Sequence, residues 1–123
     1  HSILVDTGGF TEAEMADVEK KAYELGVKSH YVAHVADKYY QECIRFLIYG
    51  NILKNNTYPL SVSAERIFQA MAVAEYAKEL GANAIAHGST GAGNDQVRFD
   101  MAFRIIVPEA EIITPIRDLK LSR

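Results

Sequence analysis

A chain of 123 residues, 49% hydrophobic and 24% charged, has the length and balance of one compact domain. Its net charge of −3 and pI of about 5.8 give no basic footprint for nucleic acid, and no apolar run approaches the roughly 20 residues that span a bilayer. The single cysteine, Cys43, excludes an internal disulfide and a cysteine-based zinc cluster, so a reduced, cytosolic setting is the default expectation.

Short β-rich runs alternate with longer helical patterns. "SILVD" reads as a buried strand. "TEAEMADVEKKAYELG" follows as a helix, with Thr11 and Glu14 at capping-box spacing and Gly26 as its stop. "KSHYVAHV" reads as a second strand, after which Asp37 is expected to cap the helix "KYYQECIRFLIYG", ended by Gly50. "NILKNNTYPLSVS" reads as loop, with Asn55, Asn56 and Pro59 as breakers. A long helix is expected from Ser63 or Ala64 to Leu80, stopped by Gly81. "NAIAHG" is a third strand, "DQVRFDMAFRII" a fourth helix before Pro108, and "AEIITPI" a last strand. This order predicts an α/β fold, a mainly parallel sheet with helices on both faces, whose ligands bind beyond the carboxyl ends of the strands.

Two glycine-bearing turns lie at such ends. "VDTGGFTEAE" lacks the Gly-Lys-Ser/Thr ending of a phosphate loop and the G-x-G-x-x-G spacing of a dinucleotide site. Glu12 and Glu14 would also compete with a phosphate for the helix's positive end, so a plain strand-to-helix turn is the simpler reading. "HGSTGAGNDQVRFD" carries more. Gly88, Gly91 and Gly93 permit positive φ and close approach of a ligand to the main chain. On a helix Asn94 and Arg98 share a face, and Asp95 is adjacent to Arg98. A helix start bearing an amide, a carboxylate and a guanidinium can hold a zwitterion, Asp95 facing an ammonium and Arg98 a carboxylate. The same spacing also suits an Asn94 cap beside a solvated Asp95–Arg98 pair. Tyr58 and Ser63 in "YPLSVSAER" place hydroxyls at the start of the long helix, where Ser63 either holds a polar ligand or caps. Glu65 and Arg66 read as a solvated first turn. His30 and His34 alternate in a strand and do not define a metal site, His87 reads as a hydrogen-bonded structural histidine, and Cys43 has no evident activating partner.

With "VDTGG" closing an early strand, "YPLSVSAER" ahead of the long helix and "HGSTGAGNDQVRFD" between strand and helix, the chain resembles argininosuccinate synthase over essentially its whole length. The specific part is the HG-[ST/A]-T-G-x-G-NDQVRF motif. The resemblance implies a three-layer domain of the adenine-nucleotide-hydrolase (N-type ATP pyrophosphatase) kind. Family members are longer, with an S-G-G-x-D-[ST]-S pyrophosphate loop one strand earlier and a synthetase domain downstream. His1 is therefore expected to lie inside the second strand of the nucleotide domain, and residues 1–123 to form a partial ATP-binding domain, inactive alone.

The family joins citrulline and aspartate using ATP, through a citrullyl-adenylate, with magnesium on the pyrophosphate. Carried over position by position, the resemblance implies Val5 and Gly88 beside ATP, and Thr90, Asn94 and Asp95 on aspartate. Tyr58, Ser63, Asn94 and Arg98 fall on citrulline positions. It also implies a cytoplasmic homo-oligomer, a tetramer in the family. Ala92 stands where a lysine is common, and "SVSAERI" replaces a "TSLARP"-like run in which Ser63 and Arg66 are kept. Two other classes compete: a nucleotide-binding regulatory module similar to universal stress proteins, and a remnant that only mediates assembly. The amino-acid clamp in "NDQVR" speaks against the first, because a nucleotide sensor has no use for it.

Overall fold

The structure, a computed structural model, describes residues 1–121. It divides into two compact units, His1–Glu65 and the part from Arg66 onward.

In the first unit β1 (Ser2–Asp6) pairs in parallel with β2 (His30–His34), Asp6 opposite His34 at their carboxyl ends. The connection is α1 (Glu12–Glu24). Its start is the expected capping box: Glu14 N–H donates to Thr11 Oγ1 at 3.3 Å, and Thr11 N–H donates to Glu14 Oε2 at 2.8 Å. Gly26, at φ +89°, takes the left-handed position after its end.

The second helical segment departs from expectation. It starts at Ala36, so Asp37 lies inside the first turn instead of capping it, and there its charge faces the helix's positive end. A π-helical stretch, Tyr40–Ile44, separates α2 (Ala36–Tyr39) from α3 (Arg45–Tyr49). Gly50 keeps a right-handed φ of −82°, and the left-handed turn falls on Asn51 at φ +46°. The stretch read as loop contains a hairpin, β3 (Leu53–Lys54) against antiparallel β4 (Tyr58–Pro59). Asn55 and Asn56, at φ +55° and +57°, make its turn, because asparagine tolerates the left-handed region that such hairpins demand.

Most of α4 (Ser61–Leu80) belongs to the second unit, and it begins at Ser61, so Ser63 is within its first turn and is not the cap. β5 (Ala84–Ala86) pairs in parallel with β6 (Glu111–Ile113), joined through α5 (Asp95–Ile106). The core packs the α4 face Ala70, Ala74 and Ala77 against Ile85, Ala102 and Phe103. Three alanines on one helical face let α5 and β5 come close, and Phe103, 1% exposed, fills the space. After β6, Thr114 is buried and opens α6 (Pro115–Asp118), with Thr114 Oγ1 donating to Asp118 Oδ1 at 2.8 Å. The fold is α/β, with parallel pairs linked by helices as the element order requires.

Candidate functional site

At the carboxyl end of β1, Val5 is half-buried and leads into buried Asp6. Gly8 N–H donates to Asp6 Oδ1 at 2.8 Å, and His34 Nδ1 lies 3.1 Å from Oδ2. The Gly8 amide, and then the His34 contact, hold this carboxyl below its ordinary range. Gly8 adopts φ +98°, so "TGGF" is a turn closed on its own aspartate. Glu65 is not merely solvated: its Oε1 accepts from Thr7 Oγ1 at 2.9 Å. Tyr58 is exposed on β4, and Ser63 is half-buried in α4. Tyr39 donates its hydroxyl to the Ser61 carbonyl at 2.6 Å. Burial pushes the Cys43 thiol up, the opposite of activation.

In the second unit the glycine-rich loop lies between β5 and α5, at the carboxyl end of the strand. Of its glycines only Gly93 has a positive φ, +91°; Gly88 and Gly91 do not use that freedom. What they offer is space, since a Cβ on Gly88 would reach nothing nearer than Ile116 Cγ1 at 4.0 Å. Thr90 Oγ1 donates to the Ala92 carbonyl at 3.2 Å. Asn94 occupies the N-cap position of α5 but makes no side-chain cap bond, which removes the reading of it as a simple cap. Arg98 Nη1 donates to Asp95 Oδ1 at 2.9 Å, and Arg66 Nε stands 3.6 Å from Asp95 Oδ2. Asp95 and Arg98 are thus paired in the first turns of α5, with Asn94 at its N-cap position and Thr90 in the loop ahead of it. Arg66, expected to be solvated, adds a second cation to Asp95.

A further set of residues was not legible beforehand. Gln96 Nε2 donates to the carbonyls of Gly91 at 2.8 Å and Gly93 at 3.4 Å. Its Oε1 accepts from Arg117 Nη1 at 3.2 Å. Arg117 also donates to Asp100 Oδ2 at 2.9 Å and, through Nε, to Thr114 Oγ1 at 3.1 Å. Asp100 Oδ1 lies 3.3 Å from His87 Nε2, and His87 Nδ1 accepts from Ser89 N–H at 3.3 Å. These partners assign one tautomer to His87, proton on Nε2, and bear out its reading as a structural histidine. Gln96 and Asp100 share a helix face, which the sequence permits one to see; their meeting with Arg117 requires the fold. An open cleft of about 490 Å³ is lined by Thr90, Gly91 and Ala92 together with Ile116, Arg117 and Lys120. Among the described residues no group of three or more His, Cys, Asp or Glu side chains could hold a metal ion, and no helix is long and apolar enough to cross a membrane.

Parallel strands joined by helices, with a glycine loop and a charged helix start at a strand's carboxyl end, define an α/β domain whose candidate site lies where such folds bind their ligands. Residues 2–123 match the family model described as the arginosuccinate synthase N-terminal HUP domain, and the chain belongs to that family. It is similar to the argininosuccinate synthase of Methanocaldococcus jannaschii, 44% identical over 99% of this chain and 30% of the relative. It is likewise similar to those of Sulfolobus acidocaldarius, 40% identical over 99% of this chain and 31% of the relative, and Pyrococcus furiosus, 38% over 99% and 29%. The chain therefore spans about 30% of the length of the relatives it matches.

Proposed function

We propose that this chain is the nucleotide-side part of an argininosuccinate synthase, a ligase that joins citrulline to aspartate. The ureido oxygen of citrulline attacks the α-phosphorus of ATP and releases pyrophosphate; the aspartate amine then displaces AMP from the citrullyl-adenylate. A ureido oxygen is a poor leaving group and an adenylate a good one. Positioning and charge stabilisation therefore carry the reaction. Magnesium enters as the counter-ion of the nucleotide's phosphates.

The observation that carries this reading is the helix start itself. Asn94, Asp95 and Arg98 stand together directly after a loop with room for a close-lying ligand at Gly88. Gly88, with Val5 at the β1 end, serves ATP. Thr90, Asn94 and Asp95 serve aspartate, Asp95 facing its ammonium. Tyr58, Ser63, Asn94 and Arg98 serve citrulline, Arg98 facing its α-carboxylate. By the same family reading, residues 1–123 are a partial ATP-binding domain, and the protein works as a cytoplasmic homo-oligomer, a tetramer.

The test is citrulline-dependent ATP–pyrophosphate exchange by the protein of the complete reading frame that carries these residues, followed by argininosuccinate formation on adding aspartate. Both are expected. ATP binding without citrulline-dependent exchange would overturn the reading in favour of a nucleotide-binding regulatory module similar to universal stress proteins.

A further inference from the structure

We infer that Arg117 is a positioning residue for the glycine loop, setting through Gln96 and Asp100 the backbone from Ser89 to Gly93 that the amino-acid and nucleotide ligands approach. The inference rests on the functional reading above for what those ligands are.

The geometry forms one chain of polar contacts that reaches the loop at two places. Toward the middle and end of the loop, the Gln96 amide donates to the Gly91 and Gly93 carbonyls while its oxygen accepts from Arg117. A primary amide is nearly symmetric in shape, so its neighbours decide which end faces the loop. Arg117, which can only donate, fixes the oxygen toward itself and leaves the NH₂ group for the loop carbonyls. At the other end, Arg117 holds Asp100 Oδ2, Asp100 Oδ1 faces His87 Nε2, and His87 Nδ1 receives Ser89 N–H. Arg117 is itself fixed by Thr114 Oγ1, and Thr114 is 1% exposed and bonded to Asp118. The loop is thereby tied to the end of β6 and not only to its own helix.

A guanidinium meets this demand and an ammonium does not. Nε and Nη1 are fixed in one plane and address Thr114, Asp100 and Gln96 together, whereas a lysine presents one compact charge. Among the described residues Arg117 makes no polar contact with Thr90, Asn94, Asp95 or Arg98; its polar contacts reach the loop through Gln96 and, by way of Asp100 and His87, through Ser89.

Two kinds of measurement on the complete protein test this, comparing Arg117→Met, Arg117→Lys and Gln96→Glu with the parent. Cleavage within residues 88–94 by a limiting amount of a broad-specificity protease reads the order of the loop, and hydrogen exchange of the Ser89 amide, which donates to His87 Nδ1, reads the other arm. Gln96→Glu keeps an acceptor for Arg117 but removes the donor to the Gly91 and Gly93 carbonyls, at a half-buried site where misfolding is not the concern. Loop cleavage and Ser89 exchange are each expected to rise about tenfold or more in Arg117→Met, with cleavage in the middle of α4 unchanged. Arg117→Lys should recover less than half of that loss. Gln96→Glu should raise loop cleavage while leaving Ser89 exchange near the parental rate, a split that general destabilisation would not produce. Arg117→Met and Gln96→Glu should also raise KM for aspartate about fivefold or more. Loop cleavage within twofold of the parent in both variants overturns the inference, as does faster cleavage with unchanged KM for both ATP and aspartate. Absence of turnover in the parent would count against the proposed function instead, and the cleavage and exchange measurements would still decide whether Arg117 sets the loop.

Discussion

Asp95 and Arg98, one turn apart on α5, are an ion pair at 2.9 Å, so the carboxylate and guanidinium proposed to face opposite charges of amino-acid ligands hold each other in place. The pair is partly exposed, 52% at Asp95 and 23% at Arg98, and such pairs contribute at most about 1 kcal/mol to stability. Its value is orientation. Each side chain is restricted before a ligand arrives, which reduces the ordering cost of binding.

Asp95→Asn separates the two half-reactions. The amide keeps the size and an acceptor oxygen but loses the charge for an ammonium. Citrulline-dependent ATP–pyrophosphate exchange should largely persist, while argininosuccinate synthesis falls roughly ten- to a hundredfold, the equivalent of one charge-assisted contact. Loss of exchange in a folded variant would assign Asp95 to adenylation.

Arg98→Ala should raise KM for citrulline by roughly ten- to a hundredfold on the same arithmetic, with a change in folding free energy under about 1 kcal/mol. Steady-state kinetics and a thermal melt read the two quantities. A collapse in stability with citrulline kinetics intact would make Arg98 a structural residue.

The glycines of the loop should respond differently. Gly88 has an ordinary φ, and a Cβ there meets only Ile116 Cγ1 at 4.0 Å, so Gly88→Ala should fold normally and raise KM for ATP. Gly93, at φ +91°, has open space around it but a backbone that L-residues resist, so Gly93→Ala should cost about 1–2 kcal/mol in folding. Urea unfolding and ATP titration of both variants check this. Equal loss of stability would show that bulk at Gly88 disturbs the fold itself.

Asp6 gives a pH dependence. The Gly8 amide and His34 lower its folded pKa beneath its unfolded value, so the unfolded chain binds the proton more readily. The stabilisation is therefore fully present above about pH 5 and is lost as pH falls through the folded value, below about pH 4. Asp6→Asn should be less stable than the parent at neutral pH, and the difference should shrink progressively on acidification. Urea midpoints measured at several pH values read this directly; a difference that stays constant into acid would mean the charge contributes nothing.

Local chemistry made much of this protein legible in its sequence. The Thr11–Glu14 box, the Gly26 stop, the Asn55–Asn56 breakers and the grouping of Asn94, Asp95 and Arg98 all depend on residues within a few positions of each other, where chain geometry leaves few alternatives. The family motif was legible for the same reason, being one uninterrupted stretch. Boundaries were less so: α4 begins at Ser61 and α2 at Ala36, because Ser63 and Asp37 are neutral enough inside a first turn for packing to decide. The tertiary structure alone decided what holds the glycine loop. Arg117 lies 21 positions from Gln96 and 17 from Asp100, and their meeting depends on how β5, α5 and β6 pack around Phe103. A polar contact between distant residues exists only where the core brings their backbones together, and no periodicity in the sequence records that distance.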